Sequence, residues 1–178
     1  MTPISQARIR AYFEQADQAT TSRGKGRPLE DLIDYVFSTI PGIGRPQRNE
    51  FNVFETEEID LAFWNDKHVQ GLPFLDYIIA VECKNWSAPV SSIEVSWFIT
   101  KLRNMGLTFG IMIAANGVTG NAREQTEAHS LIYNARAQQL RLIVITRQEL
   151  EQLQDTTDLV NLIKVKLTKL TISARLFG

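Results

Sequence analysis

From Pro3 to about Ala19 the apolar residues Ile4, Ile9, Tyr12, Phe13 and Ala16 recur at helical spacing, with Pro3 suited to a first turn. The stretch 20–27 (TTSRGKGR) is small, polar and basic with two glycines, which predicts a flexible connector and makes the first helix a loosely attached arm. Pro28 then opens a second helix. Its stripe of Leu29, Leu32, Ile33, Val36, Phe37 and Ile40 is stopped by Pro41-Gly42-Ile43-Gly44.

Beyond that point the period changes. Phe51–Phe54 and Glu57–Trp64 carry the alternation and aromatic content of short strands, and a turn-rich segment with Gly71 and Pro73 leads into Leu75–Glu82. The run LDYIIAVE is almost continuously apolar, as in a central strand covered on both faces, and its end is polar: Glu82-Cys83-Lys84-Asn85. Ser91-x-x-Glu94 predicts a capped helix carrying Val95, Trp97, Phe98, Leu102 and Met105, with Gly106 as its stop. A buried strand over 108–115, a loop at Asn116–Gly120, a helix over 121–139 and a strand over 140–145 follow. Thr146-x-x-Glu149 caps a further helix, and about 156–175 form the last. Three strands in a meander, the third of which opens a strand-helix-strand-helix-strand run, predict an α/β fold whose mixed sheet has helices on both faces.

The chain has 178 residues, 44% hydrophobic and 22% charged, ordinary values for a domain with a sizeable core. Disordered, collagenous and disulfide-scaffold classes are excluded. The net charge of −1 gives no bulk attraction for nucleic acid or anionic membranes, but it is a sum of unlike regions. Residues 55–82 concentrate Glu55, Glu57, Glu58, Asp60, Asp66, Asp76 and Glu82 against Lys67 alone, while Arg and Lys cluster in the preceding segments. The single cysteine, the absence of an apolar run of about 18 residues and the lack of a signal-peptide pattern lead us to expect a cytoplasmic, reducing setting.

The chemistry is concentrated on two strands. A period of two places Glu58 and Asp60 on one face and Ile59, Leu61 and Phe63 on the other, and sends Glu82 and Lys84 to one side while Val81 and Cys83 point away. Charges closing a core strand are costly to desolvate unless paired or bound to an ion. A same-face salt bridge with a solvated Asp60 is the simple alternative. The other is a Mg²⁺ site, with Asp60 and Glu82 as hard oxygen ligands, the backbone carbonyl of Cys83 as a third, and Lys84 beside them to orient or deprotonate a water and stabilise negative charge.

A helix glutamate, a strand aspartate, then Glu-x-Lys closing an apolar strand that leads into a crossover helix: this order resembles the PD-(D/E)XK nuclease superfamily. From Gly26 to about Ile145 the chain is most similar to the catalytic domain of Mrr-like type IV restriction endonucleases. The matching pieces are GRPLEDLIDYVF, EIDLAF, FLDYIIAVECKNW and TFGIMIAANGVTGNA. The resemblance implies a restriction-endonuclease-like α-β-β-β-α-β core, Asp60 and Glu82 as metal ligands, Lys84 as the catalytic lysine, and Glu30 binding metal directly or through water. It also implies Mg²⁺, with Mn²⁺ able to substitute. Two departures stand out: Ile59 precedes Asp60 where the superfamily name has proline, and many Mrr-like members carry Gln where Glu82 stands. Without the resemblance, Glu30 reads as a carboxylate favoured by the helix dipole.

Other residues fill out the picture. His68 and His129 have no partner at zinc spacing, Gly24-Lys25-Gly26 is not a P-loop, and Cys83 reads as an inert buried thiol. Candidate phosphate contacts are Arg23, Lys25, Arg27, Arg45, Arg48, Lys101, Arg103 and the loop from Gly117 to Gly120, with Trp86 as a stacking or cleft residue; for each, a plain surface role is the alternative. We therefore expect an N-terminal arm over 1–22, a nuclease domain over 23–150 and a helical extension over 151–178. The expected function is metal-dependent cleavage of DNA in restriction of foreign DNA or DNA processing, without membrane association. Whether a second copy or an accessory protein takes part is left open. The alternatives are a non-catalytic nucleic-acid-binding or assembly module with the same fold, or a protein-binding scaffold.

Overall fold

The computed structural model describes residues 2–51, 58–119 and 122–172. In chain order the elements are α1 (Gln6–Gln18), α2 (Ser22–Phe37), β1 (Gln47–Phe51), β2 (Glu58–Trp64), β3 (Ile78–Lys84), α3 (Ser92–Asn104), β4 (Phe109–Ala114), α4 (Ala122–Ala137), β5 (Arg141–Ile145), α5 (Arg147–Glu151) and α6 (Thr156–Ile172). The five strands form one sheet in the order β1-β2-β3-β4-β5, with β1-β2 and β2-β3 antiparallel and β3-β4 and β4-β5 parallel. This is the mixed sheet the hydrophobic pattern predicts.

Two helices fix the faces near the acidic strands. On one face Ile59, Leu61 and Phe63 are buried beneath α2, whose Phe37 stacks on Phe63 at 5.1 Å between ring centroids. On the other, α3 lies close over β4 because Gly110 has no side chain: a Cβ there would come within 2.5 Å of Leu102 and 3.1 Å of Phe98. Where α3 does not reach, Asp60 and Ala62 of β2 are only partly covered and Trp64 is exposed.

Several boundaries differ from expectation. The predicted connector at 20–27 is mostly helix: Thr21 caps α2, its side chain accepting from the Gly24 N–H, and Pro28 lies inside the helix rather than at its start. The proline costs one bond, to the Gly24 carbonyl, a loss that packing outweighs because α1 lies along α2 with Ile9, Phe13 and Ala16 buried. Nor is α1 loosely held. Ile4 N–H donates to the Gln154 carbonyl at 2.8 Å, and Arg147 pairs with Asp17 at 2.9 Å while lying over the Phe13 ring. The first strand occupies Gln47–Phe51 rather than Phe51–Phe54, and 52–57 lie outside the described residues. Its polar sequence is tolerated because, among the described residues, it is an edge strand with β2 as its one neighbour.

The segment between β2 and β3 is pinned by the buried Asn65. Its side chain donates to the carbonyls of Leu72 and Asp76 and accepts from Lys67 N–H, so the polar group is fully used. Ahead of α5, both halves of the predicted capping box form between Thr146 and Glu149. Thr146→Ala is expected to lower stability by about 1 kcal/mol in chemical denaturation. Among the described residues no helix is long and apolar enough to cross a membrane.

Candidate active site

The register Ala62↔Ala80, Leu61↔Val81 brings Asp60 and Glu82 opposite one another on the same face at the end of the β2-β3 ladder. Cys83 N–H donates to Asp60 Oδ2 at 2.6 Å, fixing one carboxylate oxygen against the neighbouring backbone. In an antiparallel pair a residue's N–H and C=O point to the same edge, so the Cys83 carbonyl also faces β2 and Asp60. Opposite Asp60 on the outer side, Asn49 of β1 takes a left-handed conformation (φ 52°) between paired neighbours Arg48↔Leu61 and Glu50↔Ile59. Asparagine tolerates that conformation better than most residues.

Glu82 is only 2% exposed, and two ammonium groups hold it. Lys84 Nζ lies 2.8 Å from Oε1, while Lys101 Nζ, reaching from α3, lies 3.0 Å from Oε1 and 3.1 Å from Oε2. Lys84 is desolvated, which alone would lower its pKa, but Glu82 at hydrogen-bond distance, Asp60 and Glu94 more than offset this and raise it. It is therefore an ammonium at neutral pH. A charged Lys84 suits charge stabilisation and proton donation, not the abstraction of a proton from water.

Burial, and next the charge of Glu82, push the Asp60 carboxyl up to about 7 against a lowering by the Cys83 N–H and Lys84. The folded protein therefore binds a proton at Asp60 over a pH range in which the unfolded chain, near 3.8, does not. This site costs nothing below pH 4. Between about pH 4 and 7 it erodes stability by about 1.4 kcal/mol per pH unit as pH rises. In chelator-treated buffer the melting temperature of Asp60→Asn should exceed that of the parent protein by more at pH 8 than at pH 5, and an equal difference at both would contradict the assignment.

Glu30 sits on α2, half-buried, and its pKa is raised by desolvation against the pull of Arg27 and Arg48. Among the described residues its Oε2 is buried without a hydrogen bond, with Arg27 Nη1 3.7 Å away. Glu30 also contributes to the fields at Asp60 and Cys83, so it belongs to the same acidic group. A buried carboxylate oxygen without a donor is a rarity, and a cation or an ordered water is what satisfies one. Among the described residues no three His, Cys, Asp or Glu side chains converge tightly enough to enclose a metal. What the donors fit is a hard cation held by one or two carboxylates, a carbonyl, and oxygens from water or substrate.

With this geometry in place, a family model described as restriction endonuclease, the Mrr catalytic domain, matches residues 27–153. The chain belongs to the Mrr-like restriction endonuclease family. No curated protein matches the sequence. The match includes Glu30, Asp60, Glu82, Lys84 and Lys101, and leaves out α1 and α6. The α-β-β-β-α-β succession from α2 to β4 is the restriction-endonuclease-like core of the family, extended here by α4 and β5.

In the Mrr-like domain Asp60, Glu82 and Lys84 come together, with Glu30 alongside. Cys83 is half-buried and its thiol is pushed up by burial and by Asp60, Glu30 and Glu82, which keeps it protonated and unreactive. The expected phosphate contacts fare less well. Arg48 is held by Asp31 and Asp34 at 2.6 Å each, and Arg27 lies against Glu30 and Asp31, so both cations are already balanced. The Gly117 N–H donates to the Ala114 carbonyl and its own carbonyl accepts from Val90, so the Gly117 amide is already used. Gly120 lies outside the described residues, as does the side chain of Arg23. Lys25 and Arg45 carry no ion pair among the described residues. Asp76 accepts from Thr108 and pairs with Arg141 at 3.2 Å.

Lys101 is the residue sequence reasoning misplaced, as a surface phosphate contact. One signal was available: it falls on the stripe Glu94, Phe98, Lys101, Met105, beside positions that face the sheet. A lysine there must either snorkel away or find a buried anion, and it finds Glu82.

Proposed function

We propose that this Mrr-like domain is a Mg²⁺-dependent endonuclease that hydrolyses phosphodiester bonds of DNA, with Mn²⁺ able to substitute, acting in restriction of foreign DNA or in DNA processing. The observation that carries it is the apposition of Asp60 and Glu82 across β2-β3, with Lys84 and Lys101 on Glu82 and an unsatisfied Glu30 oxygen beside them. A structural ion pair has no use for three carboxylates at one sheet end, because each adds to the desolvation cost.

Asp60, Glu82 and the Cys83 carbonyl are the groups that would hold the ion, and Glu30 would bind it through water. Bound there, the ion supplies Lewis acidity toward a phosphoryl oxygen and toward water. Lys84, kept as an ammonium, positions the attacking water and stabilises the charge that grows on the phosphoryl oxygens. The bond from phosphorus to the leaving sugar oxygen breaks as the water oxygen attaches; the water gives up its proton to solvent, and the leaving alkoxide takes one up from solvent or from the Lys84 ammonium, which solvent then reprotonates.

Incubating the purified chain with plasmid DNA tests this. Mg²⁺ or Mn²⁺ should convert supercoiled DNA to cut forms, and EDTA should stop the conversion. No cleavage together with no Mn²⁺ binding by calorimetry would sink the proposal and leave a nucleic-acid-binding or assembly module as the surviving function.

A further inference from the structure

Trp86 lies two residues beyond Lys84, 42% exposed, at the carboxyl end of β3, where ligands of open α/β sheets bind. The loop that carries it is tethered on both sides. Asn116 Nδ2 donates to the Trp86 carbonyl at 2.5 Å, and Asn85 Nδ2 donates to the Lys25 carbonyl on α2 at 2.8 Å. The indole is thus presented to solvent by a fixed backbone.

Two cavities share Trp86 and Lys25 in their walls. One, of about 330 Å³, reaches Cys83 and Lys84; the other, of about 230 Å³, reaches Asn116 and Arg147. Lys84 Nζ is 5.7 Å from the indole centroid, so the groove begins at the active lysine. Its cations differ in availability. Arg147 is committed to Asp17 and Glu151, whereas the Lys25 ammonium has no carboxylate partner among the described residues.

We propose that Trp86 and Lys25 form a subsite for one unpaired nucleotide next to the scissile phosphate, the base stacking on the indole and its phosphate meeting Lys25. The substrate class is then DNA that is single-stranded or locally open at the cut. An aromatic face binds a base only through the base's own face, and in a duplex those faces are covered by stacked neighbours. The subsite's place beside the cleaved bond rests on the nuclease function proposed above, but the subsite can be tested without metal or cleavage.

The chain has three tryptophans, so the Trp64→Phe/Trp97→Phe double variant leaves Trp86 as its only indole. In EDTA, a single-stranded oligothymidylate should quench its emission by roughly half or more and bind about tenfold more tightly than a blunt duplex of equal length. Lys25→Ala should weaken the single strand several-fold, and Trp86→Leu in the otherwise unaltered protein should weaken it about tenfold by competition assay. Equal quenching by duplex, no quenching by either, or unchanged single-strand binding in Trp86→Leu overturns the subsite. Quenching without any metal-dependent cleavage would keep the subsite and reject the nuclease function. Cleavage without quenching would do the reverse.

Discussion

Lys84→Ala is expected to lower the proposed metal-dependent cleavage by about 10²–10³-fold in kcat, the loss that follows removal of one preorganised charge from a developing oxyanion. The size of the effect comes from how Lys84 is held. It follows Glu82 on β3 and lies on the rim of the Trp86 groove, and Glu82, Asp60 and Glu94 keep it positive despite burial. Binding of the ion should survive, since the ligands are carboxylates and losing a nearby cation reduces repulsion. Calorimetry should therefore show Mn²⁺ affinity equal to or higher than that of the parent protein, while plasmid cleavage collapses. Cleavage within about tenfold of the parent would remove Lys84 from the chemistry.

Lys101→Met has the second-largest expected effect, and it reads out first as stability. Lys101 touches both oxygens of a carboxylate that water hardly reaches. Its loss leaves Lys84 as the single counter-ion, at a cost of about 1–3 kcal/mol, below the range for an unpaired buried charge because one ammonium remains. Lys84 is then tied to Glu82 and withdrawn from the phosphate, so kcat should also fall, by about 10-fold or more. Chemical denaturation in EDTA measures the first effect. The Glu82→Gln variant separates it from general damage: in a double-mutant cycle Lys101→Met should cost little once Glu82 carries no charge, and additive losses would show that Lys101 acts elsewhere.

The acidic face of β2 and the pairing of Glu82 with Lys84 were legible from a two-residue period, because strand alternation is local geometry that any tertiary context must respect. The same holds for the caps at Ser91 and Thr146, where side chain and amide lie within one turn. The start of α2 was not legible: two glycines and a proline argue against helix locally, and what overrides them is burial of α1 against it. The partners of Arg27 and Arg48 were equally hidden. An arginine beside a helix is a free cation in sequence, and only the fold places Asp31 and Asp34 in front of Arg48.

Composition and period were enough for the α/β class, the order of elements and the acidic face that makes Asp60, Glu82 and Lys84 candidates, since hydrophobic burial imposes a spacing on the chain before any contact is known; the resemblance to a nuclease family is what favoured a metal site over a plain salt bridge. Which charges stand alone and which are already spent required the packed molecule. Lys101 reaches Glu82 across 19 residues of chain because α3 crosses back over the sheet beside Gly110, and Lys25, which has no ion pair among the described residues, shares a cavity wall with Trp86 because Asn85 ties the start of α2 to the loop after β3. Electrostatic partnership depends on distance in space and on exclusion of water, and neither is written in the order of residues.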